Sequence, residues 1–168
     1  GDLLDYARPL KPELAPARLL DVIDAALDAA AAADQGHDPA AALRVVRDVP
    51  ESLPDVTIDA RLMRQAILNL ALNAMQAMPT GGTLTVSARA AGKTLTIAVS
   101  DTGAGMSPEV AARVFEPFFT TRSTGTGLGL SVVKRIVESH EGEVSVTSRA
   151  GGGTTFTLAL PAHAVSAS

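Results

Sequence analysis

The chain lacks cysteine, has few aromatic residues and has no long apolar run, and each absence excludes a class of protein. Without cysteine, a disulfide framework and thiolate chemistry are excluded, which fits a reducing compartment. No segment reaches the roughly 20 apolar residues that a membrane span requires. Fourteen basic residues against 18 acidic ones give a net charge of −4, without a basic patch that suits nucleic acid. We therefore expect a cytoplasmic domain that is not itself inserted in a membrane, whether or not its parent is membrane-anchored.

Two familiar phosphate-binding motifs are also missing. The nearest approach to a P-loop, Gly92-Lys93-Thr94, has Ser87 where the first glycine belongs and is typical of a hairpin turn. The glycines at 125, 127 and 129 miss the dinucleotide-binding pattern, because Leu130 stands three residues after the second of them. A nucleotide site in this chain would therefore be of another kind.

Hydrophobic periodicity and turn residues divide the chain into helices and strands. Residues 1–15 contain Pro9 and Pro12 and indicate the last turn of a helix followed by an extended linker. Pro16 suits the first turn of the next helix, and Asp59 can cap the helix after it. The predicted helices span about 17–34, 60–78, 108–113 and 128–139, and the strands about 42–49, 56–58, 83–90, 94–101, 143–149 and 154–160.

This order of elements predicts an α/β fold in two layers. The strands at 83–90 and 94–101 alternate apolar and polar residues around an Ala91-Gly92 turn and form a hairpin with one apolar face. Because helices are available for one face only, we expect a two-layer sandwich, with about three helices on one face of a mixed, mostly antiparallel five-stranded sheet. The domain would occupy residues 16–161, and 162–168 would form a disordered tail.

The segment Asp101–Met106 combines a carboxylate with two glycines. A period of two places Asp101 on the inward face of its strand, where a carboxylate needs hydrogen-bond donors. The exocyclic amine of adenine is such a donor, and Gly103 and Gly105 would let the backbone approach a flat ring closely. An equally open alternative is that Asp101 caps the following short helix or a type I turn.

Two asparagines interrupt the apolar run of the helix predicted for 60–78. Asn69 and Asn73 are four residues apart and share one helix face with Gln65 and Gln76. Asparagine is a mediocre helix former, and its amide oxygen can complete the coordination shell of Mg²⁺ beside a triphosphate. A plain solvated helix face is the alternative, and from this feature alone it is favoured.

The irregular segment before the helix at 128 has two further features. Residues 120–127 supply hydroxyls, glycines and the guanidinium of Arg122, and they lead into a helix N-terminus, which suits phosphate oxygens. The alternative is a mobile loop with an incidental arginine. Phe115, Phe118 and Phe119 indicate either a lid that docks differently with ligand or a hydrophobic anchor for a loop.

Four of these segments occur together, in order, in one known family. Residues 69–77 (NLALNAMQA), 101–106 (DTGAGM), 114–121 (VFEPFFTT) and 125–133 (GTGLGLSVV) resemble the N, G1, F and G2 boxes of bacterial sensor histidine kinases. The resemblance covers roughly residues 16–161 and implies the Bergerat ATP-binding fold shared with gyrase. It also implies that the preceding residues are the end of a dimerisation helix and its linker.

The resemblance implies a role for each matching residue, with ATP and Mg²⁺ as cofactors. Asp101 would bind the adenine amine, and Thr154 would support the same end of the site. Asn73 would ligate Mg²⁺ with help from Asn69, and Arg122 would replace a lysine often found near the phosphates. Asn69, Asn73 and Arg122 would be the catalytic residues. The other implied nucleotide-binding residues are Gly103, Gly105, Met106, Phe115, Thr120, Thr121, Gly125, Thr126, Gly127, Leu128, Gly129 and Leu130.

The resemblance also bears on the reaction and its partners. In the ATPase relatives a glutamate activates water at the position of Asn69, so asparagine there favours phosphoryl transfer over hydrolysis. None of the histidines His37, His140 and His163 lies in a phosphoacceptor motif. The expected partners are therefore the chain's own dimerisation domain, which carries the acceptor histidine, and a response-regulator receiver domain. The alternatives are a catalytically silent nucleotide-binding regulatory module and an anti-sigma-type serine kinase on the same fold.

Overall fold

The computed structural model of the chain describes residues 10–33, 42–117 and 129–161. Its strands are β1 (Ala15–Ala17), β2 (Ala42–Asp48), β3 (Val56–Ile58), β4 (Gly81–Ala91), β5 (Thr94–Asp101), β6 (Glu143–Ser148) and β7 (Thr154–Pro161). Its helices are α1 (Leu19–Ala33), α2 (Ala60–Gln76), α3 (Pro108–Ala111) and α4 (Gly129–Ser139). None of these four helices is long and apolar enough to span a membrane.

Five strands form the main sheet, in the order β2-β4-β5-β7-β6. The β2 strand runs parallel to β4, and the other pairings in this sheet are antiparallel, which confirms the predicted mixed, mostly antiparallel sheet. Alternate side chains of β5 and β7 are buried along the whole of each strand, as a period of two predicts. Strands β1 and β3 pair separately as a small antiparallel sheet.

Helices α1, α2 and α4 share one buried core with the main sheet, so the predicted two-layer architecture is confirmed. The α2 helix packs on β4 and β5, α4 packs on β6, and α1 and α4 both contact α2. Apolar residues of α2 at helical spacing, including Ile67 and Leu70, are fully buried. Burying one such side chain contributes roughly 1.5–3 kcal/mol, so this apolar stripe outweighs the weak helix propensity of the asparagines.

Two local details differ from the prediction. Pro16 lies in β1 opposite Thr57 instead of in a first helical turn, and α1 begins at Leu19. Proline lacks the N–H of a ladder hydrogen bond, but a strand with a single neighbour tolerates this because its other edge is unpaired. The β4–β5 hairpin turns at Gly92-Lys93, because Ala91 still pairs with Thr94.

Asp59 connects the segment that precedes β1 to the start of α2 by hydrogen bonds. This residue is the N-cap of α2, as predicted, and its Oδ1 accepts a hydrogen bond from the backbone N–H of Leu62 at 3.1 Å. Its Oδ2 accepts a second bond from the N–H of Glu13 at 2.9 Å. The N–H of Asp59 itself donates to Nε2 of His140 at 3.0 Å. One buried aspartate therefore joins three segments of the chain.

Low pH should weaken the hydrogen bonds that the Asp59 carboxylate accepts from Glu13 and Leu62. Burial raises the pKa of the Asp59 carboxyl, but hydrogen bonds from Glu13 and Leu62, with the charge of Arg61, leave the pKa below its ordinary value of 3.8. A carboxyl whose pKa is lowered on folding stabilises the folded state above its ordinary pKa, and this contribution is lost as the pH falls through the folded value. We therefore expect the stabilisation from this carboxylate to be complete above pH 3.8 and to decline below it.

The substitution Asp59→Asn tests this expectation. Asparagine has one acceptor oxygen, so its amide nitrogen would face one of the two N–H donors, and we expect a loss of about 1–2 kcal/mol in the free energy of unfolding at neutral pH. The difference from the wild type should shrink as the pH falls below 3.8. Urea unfolding over a pH series measures it, with Asp55→Asn at an exposed position as the control. A difference that is constant with pH would contradict the assignment.

Candidate functional site

The end of β5 brings several predicted site residues together. Asp101 ends β5 and lies opposite Thr154, the first residue of β7. Both side chains are buried, with 8% exposure for Asp101 and 5% for Thr154. The next residues, 102–106, pack between the C-terminal end of α2 and the turn that joins β6 to β7.

The carboxylate of Asp101 holds the turn that follows it. Its Oδ1 accepts a hydrogen bond from the N–H of Gly103 at 2.8 Å, two residues further on, as in an Asx turn. The alternative that Asp101 caps the short helix α3 is wrong, because the N-cap is Ser107, whose hydroxyl accepts from the N–H of Val110 at 3.3 Å. A carboxylate has about four acceptor sites, and the turn bond is one of the interactions that Asp101 makes.

The two glycines of this segment have a packing role that the sequence did not reveal. A Cβ at Gly103 would overlap the carbonyl oxygen of Ala77, just past α2, and the N–H of Ala104 donates to that same oxygen at 3.3 Å. Gly105 has a φ of 71°, and a Cβ there would overlap the carbonyl oxygen of Arg149. The glycines therefore let the segment lie directly against α2 and the β6–β7 turn. The predicted approach of an adenine ring stays a prediction.

A pair of hydroxyl groups connects this segment to β6 and β7, and of the two residues Thr154 was predicted from the sequence whereas Ser148 was missed. The N–H of Met106 donates to Oγ of Ser148 at 2.7 Å, and that oxygen lies 2.8 Å from Oγ1 of Thr154. Ser148 and Thr154 face each other across the two strands. Thr154 is thus linked to the Asp101 segment by hydrogen bonds as well as by strand pairing. The only signal in the sequence is the place of Ser148, just before a glycine-rich turn.

Asn69 and Asn73 lie half-buried, one turn apart, on the side of α2 that faces away from its buried stripe. Oδ1 of Asn69 accepts from Nε2 of Gln65 at 2.7 Å, and its Nδ2 donates to the carbonyl oxygen of Gly129 at 3.0 Å. Asn69 therefore links α2 to the first residue of α4. Among the residues that the structure describes, no group of three His, Cys, Asp or Glu side chains could hold a metal. An amide oxygen can be one ligand of a Mg²⁺ ion that brings phosphate and water ligands with it, and in this structure Oδ1 of Asn69 also accepts from Gln65.

Three other predicted nucleotide-binding residues, Met106, Phe115 and Leu130, are partly buried against the core. The ring of Phe115 meets the ring of buried Phe156 edge-on, with centroids 5.8 Å apart at an interplanar angle of 75°. For Phe115 this contact favours the interpretation as a hydrophobic anchor.

Much of the predicted phosphate-binding segment lies outside the described residues. This applies to Phe118, Phe119, Thr120, Thr121, Arg122, Gly125, Thr126, Gly127 and Leu128, whose assigned roles stay predictions. Gly129, the last glycine of the series, is the first residue of α4, and a Cβ there would meet no atom within 4 Å. Packing in the described part of the chain does not require glycine at this position.

Comparison with known proteins agrees with this geometry. Residues 58–164 match the family described as histidine kinase-, DNA gyrase B-, and HSP90-like ATPases. The chain is 38% identical over 161 residues to the C4-dicarboxylate transport sensor protein DctS of Rhodobacter capsulatus, covering 94% of this chain and 24% of that protein. It is 43% identical over 113 residues to the sensor histidine kinase ZraS of Escherichia coli K12, covering 67% of this chain and 24% of that protein. The chain thus spans about a quarter of the length of these curated relatives.

Solved structures share the fold. Full-length ShkA in complex with AMPPNP matches with a TM-score of 0.82 at 28% identity, over 99% of this chain and 35% of that one. The nucleotide-free catalytic domain of histidine kinase ThkA gives a TM-score of 0.75 at 23% identity, over 89% of this chain and 95% of that one, which shows the fold alone. The chain therefore belongs to the family of histidine kinase-, DNA gyrase B-, and HSP90-like ATPases, where it is similar to the ATP-binding catalytic domain of bacterial sensor histidine kinases.

Proposed function

We propose that this domain binds Mg·ATP in the cytoplasm and donates the γ-phosphoryl group to a histidine on a separate dimerisation domain of its parent protein. The phosphoryl group would then pass to an aspartate in the receiver domain of a response regulator, as in two-component signalling. The observation that carries the proposal is the buried carboxylate of Asp101, whose following segment packs against the end of the helix that bears Asn69 and Asn73. The similarity to sensor histidine kinases supports it.

Asp101 is the residue proposed to select adenine. It ends the inward-facing apolar row of β5, so little water competes for its acceptor oxygens. A hydrogen bond to an ionised carboxylate is about twice as strong as one between neutral groups, and an exocyclic amine can supply the donor. Thr154, held by Ser148, would support the same end of the site.

Asn73, with Asn69 beside it, is proposed to ligate Mg²⁺. When bound, the ion would neutralise charge on the transferring phosphoryl group. The α2 helix contains no aspartate or glutamate, and an amide group does not act as a base toward water. The residues proposed to hold the ion therefore favour transfer to a separate acceptor over hydrolysis.

The acceptor histidine is proposed to lie on another domain. His140 has only 3% exposure, and both ring nitrogens form hydrogen bonds, Nε2 with the N–H of Asp59 and Nδ1 with the carbonyl oxygen of Ile136. A phosphoacceptor needs a ring nitrogen that can reach the phosphorus atom, and His140 has none available. His37 and His163 lie outside the described residues, and their sequence context is not that of a phosphoacceptor.

Calorimetric titration with AMPPNP, with and without Mg²⁺, tests the proposal. We expect binding that strengthens with the ion, and we expect Asn73→Ala to weaken the Mg²⁺-dependent binding by about 1–3 kcal/mol, because one ligand of the ion is lost. Binding without Mg²⁺ should be unaffected. Gln76→Ala, at an exposed position on the same helix, is the control. Absence of binding by the wild type, or labelling of this chain itself by γ-phosphate, would overturn the proposal.

A further inference from the structure

Helices α2 and α4 are antiparallel, and a hydrogen bond joins α4 to α2 at each end of α4. At one end, the N–H of Asp59, the N-cap of α2, donates to Nε2 of His140, which directly follows α4. At the other end, Nδ2 of Asn69 donates to the carbonyl oxygen of Gly129, where α4 begins. From 59 to 69 on α2, and from 129 to 140 on α4, the two links lie about 15 Å apart along each helix axis.

The hydrogen-bond partners of His140 determine which of its ring nitrogens donates and which accepts. A carbonyl oxygen only accepts and a backbone N–H only donates, so Nδ1 carries the proton and donates to the carbonyl oxygen of Ile136 at 2.8 Å. Nε2 is then the acceptor for Asp59 at 3.0 Å. His140 is buried, so water does not readily replace either bond.

The chain that enters the domain is attached to the same point. The N–H of Glu13 donates to Oδ2 of Asp59 at 2.9 Å. The β1 strand follows directly and pairs with β3, whose last residue, Ile58, immediately precedes Asp59. A displacement of the entering chain therefore acts on the residue that starts α2 and binds the end of α4.

We propose that Asp59 and His140 couple the entering chain to the nucleotide site, with His140 as a positioning residue. The inference rests on the proposed function, in which Asn69 and Asn73 belong to that site. A helix transmits a displacement along its axis because it is a rigid element. A shift of the Asp59–His140 contact therefore changes the geometry of the hydrogen bond between Asn69 and Gly129, at the start of α4. A domain attached ahead of β1 would in this way adjust the site without touching the nucleotide.

Two substitutions of His140 separate its link to Asp59 from its local contact. The carboxamide of glutamine reaches the position of Nε2 and can accept from Asp59, whereas that of asparagine reaches only the position of Nδ1 and can bind only Ile136. We expect His140→Asn to weaken AMPPNP binding about tenfold, the size of one lost hydrogen bond, and His140→Gln to stay near the wild type. Val137→Ala leaves a cavity on the buried face of α4 without cutting either link, and it controls for lost stability.

Amide hydrogen exchange gives a readout that needs no nucleotide. We expect His140→Asn to speed exchange at the start of α4, from Val133 onward, where the first amides bonded within the helix lie. After correction for the global stability of each variant, measured by urea unfolding, amide exchange at the start of α4 should equal that of the wild type in His140→Gln and Val137→Ala. Equal behaviour of the two His140 variants would overturn the coupling. A wild type that binds no AMPPNP would defeat the proposed function, while the exchange comparison would still decide the coupling.

Substitutions of Glu13 test the hydrogen bond between the entering segment and Asp59. Proline at this position removes the N–H that binds Asp59, whereas alanine keeps it. We expect Glu13→Pro to speed exchange at the start of α4 and Glu13→Ala to leave it unchanged. Equal exchange rates in these two variants would exclude the entering chain from the coupling.

Discussion

Replacement of Asp101 by asparagine should remove most of the preference of this domain for adenine nucleotides while the fold stays intact. The asparagine oxygen can still accept the bond from the N–H of Gly103, 2.8 Å away in the wild type, which holds the turn. In the proposed site, the amide nitrogen would take the place of the other carboxylate oxygen and would face the adenine amine as donor against donor. Leaving a buried donor unpaired costs about 1–3 kcal/mol, or roughly a 5- to 150-fold loss of affinity. Calorimetry with AMPPNP measures that loss.

A ligand without the amine makes the same test independent of protein stability. The wild type should bind purine riboside triphosphate, whose base lacks the exocyclic amine, more weakly than ATP, and Asp101→Asn should bind ATP no more tightly than this analogue. Ser100→Ala is the matched control, because Ser100 belongs to the other face of β5, where its hydroxyl lies 2.7 Å from that of Thr155. An Asp101→Asn variant that still prefers ATP would place the adenine elsewhere.

Features that depend on a local pattern were predictable from the sequence. The alternation along β5 places Asp101 on the buried face, and the structure confirms this placement. Asp59 was predicted as a helix cap because its side chain can accept from the N–H groups at a helix start, and it does so with Leu62. In both cases the physics acts over a few neighbouring residues, so one segment of sequence contains all the information.

Features that depend on distant segments meeting were not predictable in the same way. Three-residue strands are too short to show a period, so the pairing of Pro16 with Thr57 left no sequence signal. The link between Asn69 and Gly129 joins residues far apart in the chain, and its atoms meet only because α2 and α4 pack antiparallel. The role of His140 was also missed, because its bond to Ile136 is local but its bond to Asp59 joins residues far apart in the chain.

The glycines of the Asp101–Met106 segment were singled out from the sequence for one reason, and the structure supplies another. They were expected to allow close approach of a ligand, whereas Gly103 and Gly105 lie directly against backbone carbonyl groups of Ala77 and Arg149. Glycine in a loop does not reveal whether its missing side chain makes room for a ligand or for the protein itself. The two requirements have different consequences for stability, which can be measured without any ligand.

Gly105→Ala should therefore destabilise the domain strongly. The φ of 71° at this position is left-handed, which costs an alanine about 1–2 kcal/mol. The added Cβ would also overlap the carbonyl oxygen of Arg149, and relieving such an overlap typically costs about 1–3 kcal/mol more. A shift of the segment would also strain the bond from Gly151 N–H to the carbonyl oxygen of Ala104, which is 2.6 Å long. Urea unfolding measures the loss.

Two other glycines separate these contributions. Gly151 has a similar φ of 78°, but a Cβ there meets nothing within 4 Å, so Gly151→Ala should show the conformational cost alone, about 1–2 kcal/mol. Gly129, the first residue of α4, has neither a positive φ nor a close contact at the position of a Cβ. Gly129→Ala should therefore leave stability unchanged or slightly raised. The difference between the 105 and 151 variants then isolates the overlap with Arg149. If those two variants lose equal stability, the close contact is not what requires glycine at 105, and that position would again be available for the approach of a ligand.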